Sequence, residues 1–268
     1  MERESLDHEM VERGCLIVRK NVNSMTYTYD NLIADLRDAE SVAVLTGAGI
    51  SAESGVPTFR GKGGIWEEVS IEDVATITAF IRDPVRVWEW FTDLRKVLAR
   101  CEPNDAHRSL AVLEDRIRDF TLITQNIDNY HQMAGSRNVV ELHGNALWDR
   151  CWTCGRRYDS KEVDVTVLPP KCECGGTLKP DAVFYEESLS EDVVNKAFDA
   201  ASRCEIMLTV GTSAMVVPAA SLPYVARRSG AKIIEINLEP TGHSSLASLS
   251  LFEPATSALT GIVQSLKE

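Results

Sequence analysis

Along the chain, short unbroken apolar runs alternate with segments whose apolar positions recur every three or four residues. Leu32, Ile33, Leu36 and Ala39 fall at helical spacing, with Asp30 placed to cap the helix. The continuous run Val42-Ala43-Val44-Leu45 follows and ends in Thr46-Gly47-Ala48-Gly49. Similar runs at Thr121–Thr124, Val139–Leu142, Ile206–Val210 and Ile233–Ile236 predict strands buried on both faces, as in a parallel sheet. Between them, Ala106–Ile117, Glu191–Cys204 and Ala219–Arg228 carry amphipathic helical spacing. Strands alternating with helices predict an α/β fold, and a glycine turn closing the first strand marks the start of a nucleotide-binding unit. Two segments break the alternation: 64–104, Trp-rich and helical in pattern, and 151–179, which holds paired cysteines. Both read as insertions that stand together beside the sheet. Residues 1–24 are polar, mixed in charge and without periodicity, and predict a flexible extension or an upstream start ahead of Met25.

Composition narrows the class. The chain has 268 residues, 28 basic and 40 acidic side chains, and a formal charge of −12. Its 44% hydrophobic and 25% charged residues suit a globular protein with a sizeable core. No apolar run reaches the ~20 residues of a membrane helix, and Cys15-Leu16-Ile17-Val18, flanked by charge, does not make a secretory signal. The acidity argues against direct nucleic-acid binding, which needs a basic surface. Seven cysteines, four of them in two close pairs, do not suit a secreted disulfide framework. Metal binding in a reducing, cytoplasmic setting fits better.

Gly47-Ala48-Gly49-Ile50-Ser51-Ala52 fits the G-x-G-x-x-G/A form that follows a strand. Its glycines allow a tight turn and let backbone N–H groups reach a pyrophosphate, which the next helix N-terminus also favours. A dehydrogenase would place an acidic residue ~20 positions on, at a second strand. Glu67 and Glu68 lie near that distance in surroundings that do not read as a strand, so hydride transfer is disfavoured. Cys151-x-x-Cys154 and Cys172-x-Cys174 offer four thiolates for one tetrahedral Zn²⁺, although the second pair is one residue short of the usual knuckle. With all four ligands from protein, such a zinc is structural. Gly155, Gly175 and Gly176 supply the backbone freedom of the knuckles, and Cys101 and Cys204 read as packing thiols. His143 stands out because it follows a predicted strand and precedes glycine, at the carboxyl edge of the sheet. His107 reads as structural, at a helix start; His8, His131 and His243 carry no case for catalysis. Asn126 and Asp128 lie two apart and so can point the same way from an extended backbone.

The run from Gly47 to Gly61 closely resembles the signature of the sirtuins, the NAD-dependent protein deacylases. Thr124-Gln125-Asn126-Ile127-Asp128, Glu141-Leu142-His143-Gly144-Asn145, Gly211-Thr212-Ser213 and Ile236-Asn237-Leu238-Glu239-Pro240 follow in the family's order. The resemblance implies a Rossmann-like parallel-sheet domain from 30–63, 105–150 and 180–268. It adds a small domain from the helical insertion 64–104 and a zinc ribbon 151–179, with an extension over 1–29. It puts His143 at the catalytic base, where a pKa near ~6.5 suits proton abstraction from a ribose hydroxyl. Asn126 and Asp128 match the pair beside the nicotinamide carboxamide, Ile50 and Phe59 match its apolar shield, and Arg60 an arginine near the phosphates and ribose. Gly47, Ala48, Gly49, Ser51 and Gln125 fall on nucleotide-binding positions. So do Gly211, Thr212, Ser213, Asn237 and Leu238, with Ala255 a looser match near the adenine.

The implied reaction moves the acyl group of acyl-lysine to ADP-ribose, with NAD as co-substrate. It releases nicotinamide and gives O-acetyl-ADP-ribose and free lysine. The implied partners are acetyl-lysine-bearing proteins, bound as an extended strand between Val183–Glu187 and Met215–Val217. Val183, Phe184, Glu187 and Val217 are the expected contacts. Mono-ADP-ribosyl transfer, or an NAD-binding module that no longer turns over, stand as alternatives.

Three departures from the family pattern are visible. Most relatives have aromatic-Phe-Gly-Glu where this chain has Phe184-Tyr185-Glu186-Glu187, which puts a bulky carboxylate near the peptide cleft. Asn129 and Tyr130 replace a usual glycine and leucine, and Thr58 replaces an aspartate, as in a subgroup that includes the desuccinylases. Desuccinylating relatives also carry Tyr-x-x-Arg on the helix matching Trp88–Leu98. Phe91 and Leu94 occupy those positions here, and neither can bond a carboxylate. Acetyl or larger apolar acyl groups are therefore expected over succinyl, although Trp88, Trp90, Phe91 and Leu94 also fit a core stripe.

Overall fold

The computed structural model describes residues 27–59 and 64–268, so Arg60 and the expected extension up to residue 26 lie outside the described residues. The first helix, α1 (Tyr29–Asp38), is capped by Thr28 and not by Asp30. The Thr28 backbone is extended and its hydroxyl accepts from Asn31 N at 3.3 Å, while Asn31 Oδ1 accepts from Thr28 N at 2.9 Å. Asp30 falls inside the first turn instead, where a carboxylate favours the positive end of the helix.

Strands β1 (Ser41–Thr46), β2 (Asp119–Thr124), β3 (Val139–Glu141), β7 (Ile206–Val210), β8 (Lys232–Asn237) and β9 (Leu249–Phe252) form one six-stranded sheet. Its order is β3-β2-β1-β7-β8-β9 and every pairing is parallel. Successive side chains of a strand point to opposite faces, and both faces are covered. Val42 and Val44 pack against α1, α7 (Asp105–Arg116) and α11 (Ala255–Ser265). Ala43 and Leu45 pack against α9 (Glu191–Arg203) and α10 (Leu222–Arg228) on the other side. Burying each large aliphatic side chain contributes roughly 1.5–3 kcal/mol. A 3-10 turn, Ala219–Ser221, precedes α10, so the expected helix from Ala219 is split. Glu67 and Glu68 lie in the one-turn helix α3 (Ile65–Glu68) and not on a second strand.

Beside this sheet stands a smaller module. It contains α3, α4 (Ile71–Val74), α5 (Ile77–Arg82) and α6 (Pro84–Leu98), with an antiparallel sheet of β4 (Gly144–Cys151), β5 (Arg157–Asp159) and β6 (Leu178–Ala182). Asp83 caps α6 and Pro84 opens it, the position where a missing N–H costs nothing. The two sequence segments share a core in which Phe80, Val87, Trp88 and Phe91 meet Leu178, Phe184 and the cysteines Cys151 and Cys172. Trp88 Nε1 donates to Leu178 O at 3.0 Å, which ties the helical face to the ribbon. Among the described residues, no helix is long and apolar enough to cross a membrane.

Candidate active site

A cavity of about 940 Å³ opens at the carboxyl ends of β1, β2, β7 and β8, where α/β sheets hold their ligands. One wall is the loop Gly47–Ala48–Gly49. Gly47 N donates to Val210 O at 3.0 Å and Gly49 N to Gly211 O at 2.8 Å, so the loops after β1 and β7 lie in contact. A Cβ on Gly47 would come within 2.8 Å of Gly211 O, and one on Gly49 within 2.7 Å of Gly211 Cα. Close approach of two backbones therefore requires these glycines before any ligand is considered. The helix that follows, α2 (Gly49–Ala52), is a single turn. The helix start expected beside the loop is therefore a short one.

Further along the cavity wall stand Gln125, Asn126, Gly211, Thr212, Ser213, Asn237, Leu238, Phe59 and Ala255. Gln125 Nε2 donates to Thr212 Oγ1 at 2.9 Å, and Asn237 Nδ2 donates to Thr212 O at 3.0 Å. These bonds hold three strand-end loops in one frame. Ile50, Ser51 and Asp128 sit just behind the wall and are buried. Ser51 Oγ donates to Asp128 Oδ2 at 2.7 Å, and Asn126 Nδ2 donates to Ser51 Oγ at 3.2 Å. The second Asp128 oxygen accepts from Tyr130 N, at 3.0 Å. Burial still raises the Asp128 carboxyl above its ordinary range, against the pull of those donors.

Two histidines back this cluster. His107 is buried beside Ser51, 3.4 Å from its hydroxyl, and its Nδ1 accepts from Asn104 N in a capping box at the start of α7. Burial pushes it down to about 4, so it is neutral at pH 7. His131, in α8 (Tyr130–Met133), is buried on Thr46 Oγ1 at 2.9 Å and is likewise held well below 6.5. His243 is buried near Tyr224, with Nε2 at 3.1 Å from Ala220 O. Asn129, at the replaced glycine, has φ +68°. Asparagine is among the residues that best tolerate this left-handed conformation, and Asn129 Oδ1 accepts from Asn145 Nδ2 at 2.9 Å.

His143 follows β3 and lines the cavity, half-buried, between the nucleotide-side loops and the segment Val183–Glu187. Its Nδ1 lies 3.0 Å from Gln125 O. A carbonyl only accepts, so Nδ1 carries the proton and the basic lone pair is at Nε2.

The far end of the cavity is apolar. Phe91, Trp90, Val183, Phe184, Met215 and Val217 line it. Phe91 and Phe184 stack with centroids 5.5 Å apart. Leu94, expected beside Phe91, packs in the core of the small module and does not reach the wall. Trp90, read from sequence only as part of a stripe, is on the wall. Glu187 lines the cavity too, but its Oε2 accepts from Lys179 Nζ at 3.0 Å and from Phe184 N at 2.9 Å. Lys179 carried no sequence signal; it is buried, with Nζ 4.0 Å from the centre of the Phe184 ring.

Among the described residues, Cys151, Cys154, Cys172 and Cys174 form the group able to hold a metal, with all four sulfurs within 4.8 Å of one another. Cys151 and Cys174 Sγ are 3.5 Å apart and Cys154 and Cys172 Sγ 3.7 Å. Four sulfurs around Zn²⁺ at ~2.3 Å stand about 3.8 Å apart, so this set fits the ion. A Cβ on Gly176 would meet Cys151 Sγ at 2.8 Å, and Gly155 and Gly175 have φ of +71° and +83°. The Tyr158 hydroxyl, 3.0 Å from Cys172 Sγ, pulls that thiol down to about 6 and so favours the ligating thiolate. Cys101 and Cys204 are free thiols away from the cluster.

Comparison with known proteins agrees with this arrangement. The profile of the Sir2 family matches residues 47–218, more than half of the chain. An NAD-dependent protein deacylase of Aquifex aeolicus is 44% identical over 229 residues, spanning 85% of this chain and 96% of that protein. One from Aeropyrum pernix is 47% identical over 218 residues, spanning 81% and 88%. A mutant Sir2 homologue solved with ADP-ribose superposes with a TM-score of 0.86 at 38% identity, over 90% of this chain and 97% of that one. A Sir2 protein solved with a p53 peptide and NAD⁺ superposes at 0.80 with 32% identity, over 88% and 98%. Parallel sheet, glycine loop, His143 and four-cysteine ribbon thus occur together in a chain that belongs to the Sir2 family of NAD-dependent protein deacylases.

Proposed function

We propose that this enzyme is an NAD-dependent protein-lysine deacetylase that transfers the acyl group of acyl-lysine to ADP-ribose. The products are nicotinamide, free lysine and O-acetyl-ADP-ribose. The observation that carries the reading is the place of His143, on the wall between the nucleotide loops and Val183–Glu187, with its basic nitrogen fixed by the bond to Gln125 O. Bound NAD supplies an electrophilic ribose carbon once nicotinamide leaves. The loops Gly47–Gly49 and Gly211–Ser213, with Gln125, Asn237, Leu238 and Ala255, hold the nucleotide. Asn126 and the Ser51–Asp128 pair orient the carboxamide, and Ile50 and Phe59 keep water from it. His143 Nε2 takes the proton of a ribose hydroxyl.

The substrate is an acetyl-lysine-bearing protein whose backbone lies between Val183–Glu187 and Met215–Val217. Phe91, Trp90 and Phe184 give the acyl end an apolar lining that favours acetyl or larger apolar groups over succinyl. The cysteine ribbon and the helices of 64–104 make a small domain held by a structural zinc. A four-thiolate site suits the reducing cytoplasm.

Incubation with NAD and an acetyl-lysine peptide, read by mass spectrometry, tests the proposal. Free lysine with O-acetyl-ADP-ribose supports it. ADP-ribosylated protein would point to mono-ADP-ribosyl transfer, and unconsumed NAD to a binding module. His143→Ala is expected to abolish deacylation with an unchanged melting curve; full activity in that variant would remove His143 from its role.

A further inference from the structure

Glu186 has φ +70°, in the left-handed region that glycine enters freely and glutamate does not. Its carboxylate Oε2 accepts from Thr78 N at 3.0 Å and from Thr78 Oγ1 at 2.8 Å. Thr78 is the second residue of α5, so its amide is one of the donors a helix start leaves without an internal partner. The strained residue thus makes two bonds that a glycine could not.

The segment it fastens is a wall of the cavity. Tyr185 N donates to Ala75 O at 2.8 Å and Ile77 N donates to Tyr185 O at 3.1 Å, so the backbone already runs beside the start of α5. Phe184 presents its ring to Phe91 on the other side. Two consecutive glutamates therefore hold the segment from opposite directions, Glu187 to Lys179 of β6 and Glu186 to Thr78 of α5. α5 is itself anchored, since Phe80 stacks on Trp152 of the cysteine ribbon with centroids 5.2 Å apart.

We propose that Glu186 is a positioning residue for the acyl-lysine peptide: it latches Val183–Glu187 onto α5 and sets the cleft wall before the peptide arrives. This rests on the deacylase reading above. A wall ordered in advance spares the peptide the cost of ordering it on binding, so the effect falls on peptide affinity. The nucleotide loops are held by separate bonds and do not depend on the latch. A direct attraction between the carboxylate and a basic peptide residue is the competing role, and glutamine separates the two. Its carbonyl oxygen accepts the same bonds without the charge.

The test is steady-state kinetics of the full chain on an acetyl-lysine peptide, joined to hydrogen exchange of the 183–187 amides without substrate. E186G is expected to raise the peptide KM about five-fold, the order of one lost hydrogen bond. NAD KM and kcat stay within about two-fold, and the Tyr185 amide exchanges faster. E186Q returns both readouts toward wild type, and T78V, which leaves the segment's own backbone alone, shifts both in the direction of E186G. Unchanged KM and exchange in E186G overturn the latch. So does E186Q matching E186G in KM, which would assign the effect to charge, or an inert T78V, which would assign it to glycine's freedom. Failure of the wild-type chain to turn over the peptide sinks the deacylase reading instead, and the exchange rates then decide the latch alone.

Discussion

Replacing Arg95 with methionine probes how the small module is held together. The Arg95 side chain is 14% exposed and its Nη2 lies 2.6 Å from Asp149 Oδ1, while the Asp149 side chain is 0% exposed. Arg95 Nε also donates to Ala146 O at 2.6 Å, so one side chain joins α6 to β4 by charge and by backbone contact. Methionine keeps the apolar stem and leaves a buried carboxylate without its cation. Removing one partner of such a pair costs about 3–5 kcal/mol. At ~2–4 °C per kcal/mol for a chain of this size, the melting temperature should fall by about 6–20 °C. The loss must also depend on pH. Burial raises the Asp149 carboxyl from 3.8 to about 6 against the pull of Arg95. Such a group favours folding most fully below its unfolded value, and the contribution fades as pH rises through the folded one. In the native chain that window runs from 3.8 to about 6; without Arg95 the carboxyl rises further and the window extends upward. The variant should therefore lose more stability near about pH 8 than near about pH 5.5, read by scanning calorimetry. A fall of less than about 2 °C near pH 8, or equal losses at both pH values, would refute the role given to the pair.

The other predictions concern the site and its supports. Ser51→Ala removes the donor to a buried carboxylate, a bond of ~1.5–3 kcal/mol, so kcat/KM for NAD should drop about 10- to 100-fold; a change below about two-fold contradicts the orienting role. Metal analysis should find about one zinc per chain. Stripping it with a chelator should lower the melting temperature and shift Trp152 emission, and an unchanged melting curve after full removal counts against a structural ion. On one peptide carrying acetyl, butyryl or succinyl lysine, turnover should favour the first two, because Phe91 and Phe184 offer nothing to the free carboxylate of a succinyl group; a clear succinyl preference sinks that assignment.

Parallel strands covered on both faces leave near-continuous apolar runs, which is why Ile206–Val210, interrupted only by the buried Thr209, is legible to the residue. Edge strand β9 leaves no comparable signal, since Leu249-Ser250-Leu251-Phe252 is only partly buried and its run is broken by serine. α11 is equally faint in the sequence: Thr256, Ser257, Thr260 and Gly261 dilute its stripe. Thr28 and Asp30 are both good caps, and only the extended backbone at Thr28 decides between them. In the site, the glycines stand out by type and position, and His143 takes its role from the family resemblance. The reason for the glycines does not stand out, because the backbone they admit belongs to Gly211, far along the chain. Three-residue spacing puts Leu94 on the face of Phe91, yet the wall of the cavity ends at Phe91 and Trp90. Glu186 reads from sequence as an obstruction, because its partner Thr78 lies 108 residues away.

The divided build of the small module also sets an order of events during synthesis. α6 leaves the ribosome roughly 80 residues ahead of β6, which at about 5–20 residues per second is several seconds. Throughout that interval Val87, Trp88, Phe91 and Leu98 lack Leu178 and Phe184 to cover them, and the second cysteine pair is made only at its very end. A nascent chain halted between residues 154 and 172 would expose this aromatic face and hold only the first two sulfurs of the four. Metal capture is then a step that follows a surface displayed for roughly a third of translation, and chains stalled in that window are the ones to seek bound to chaperones.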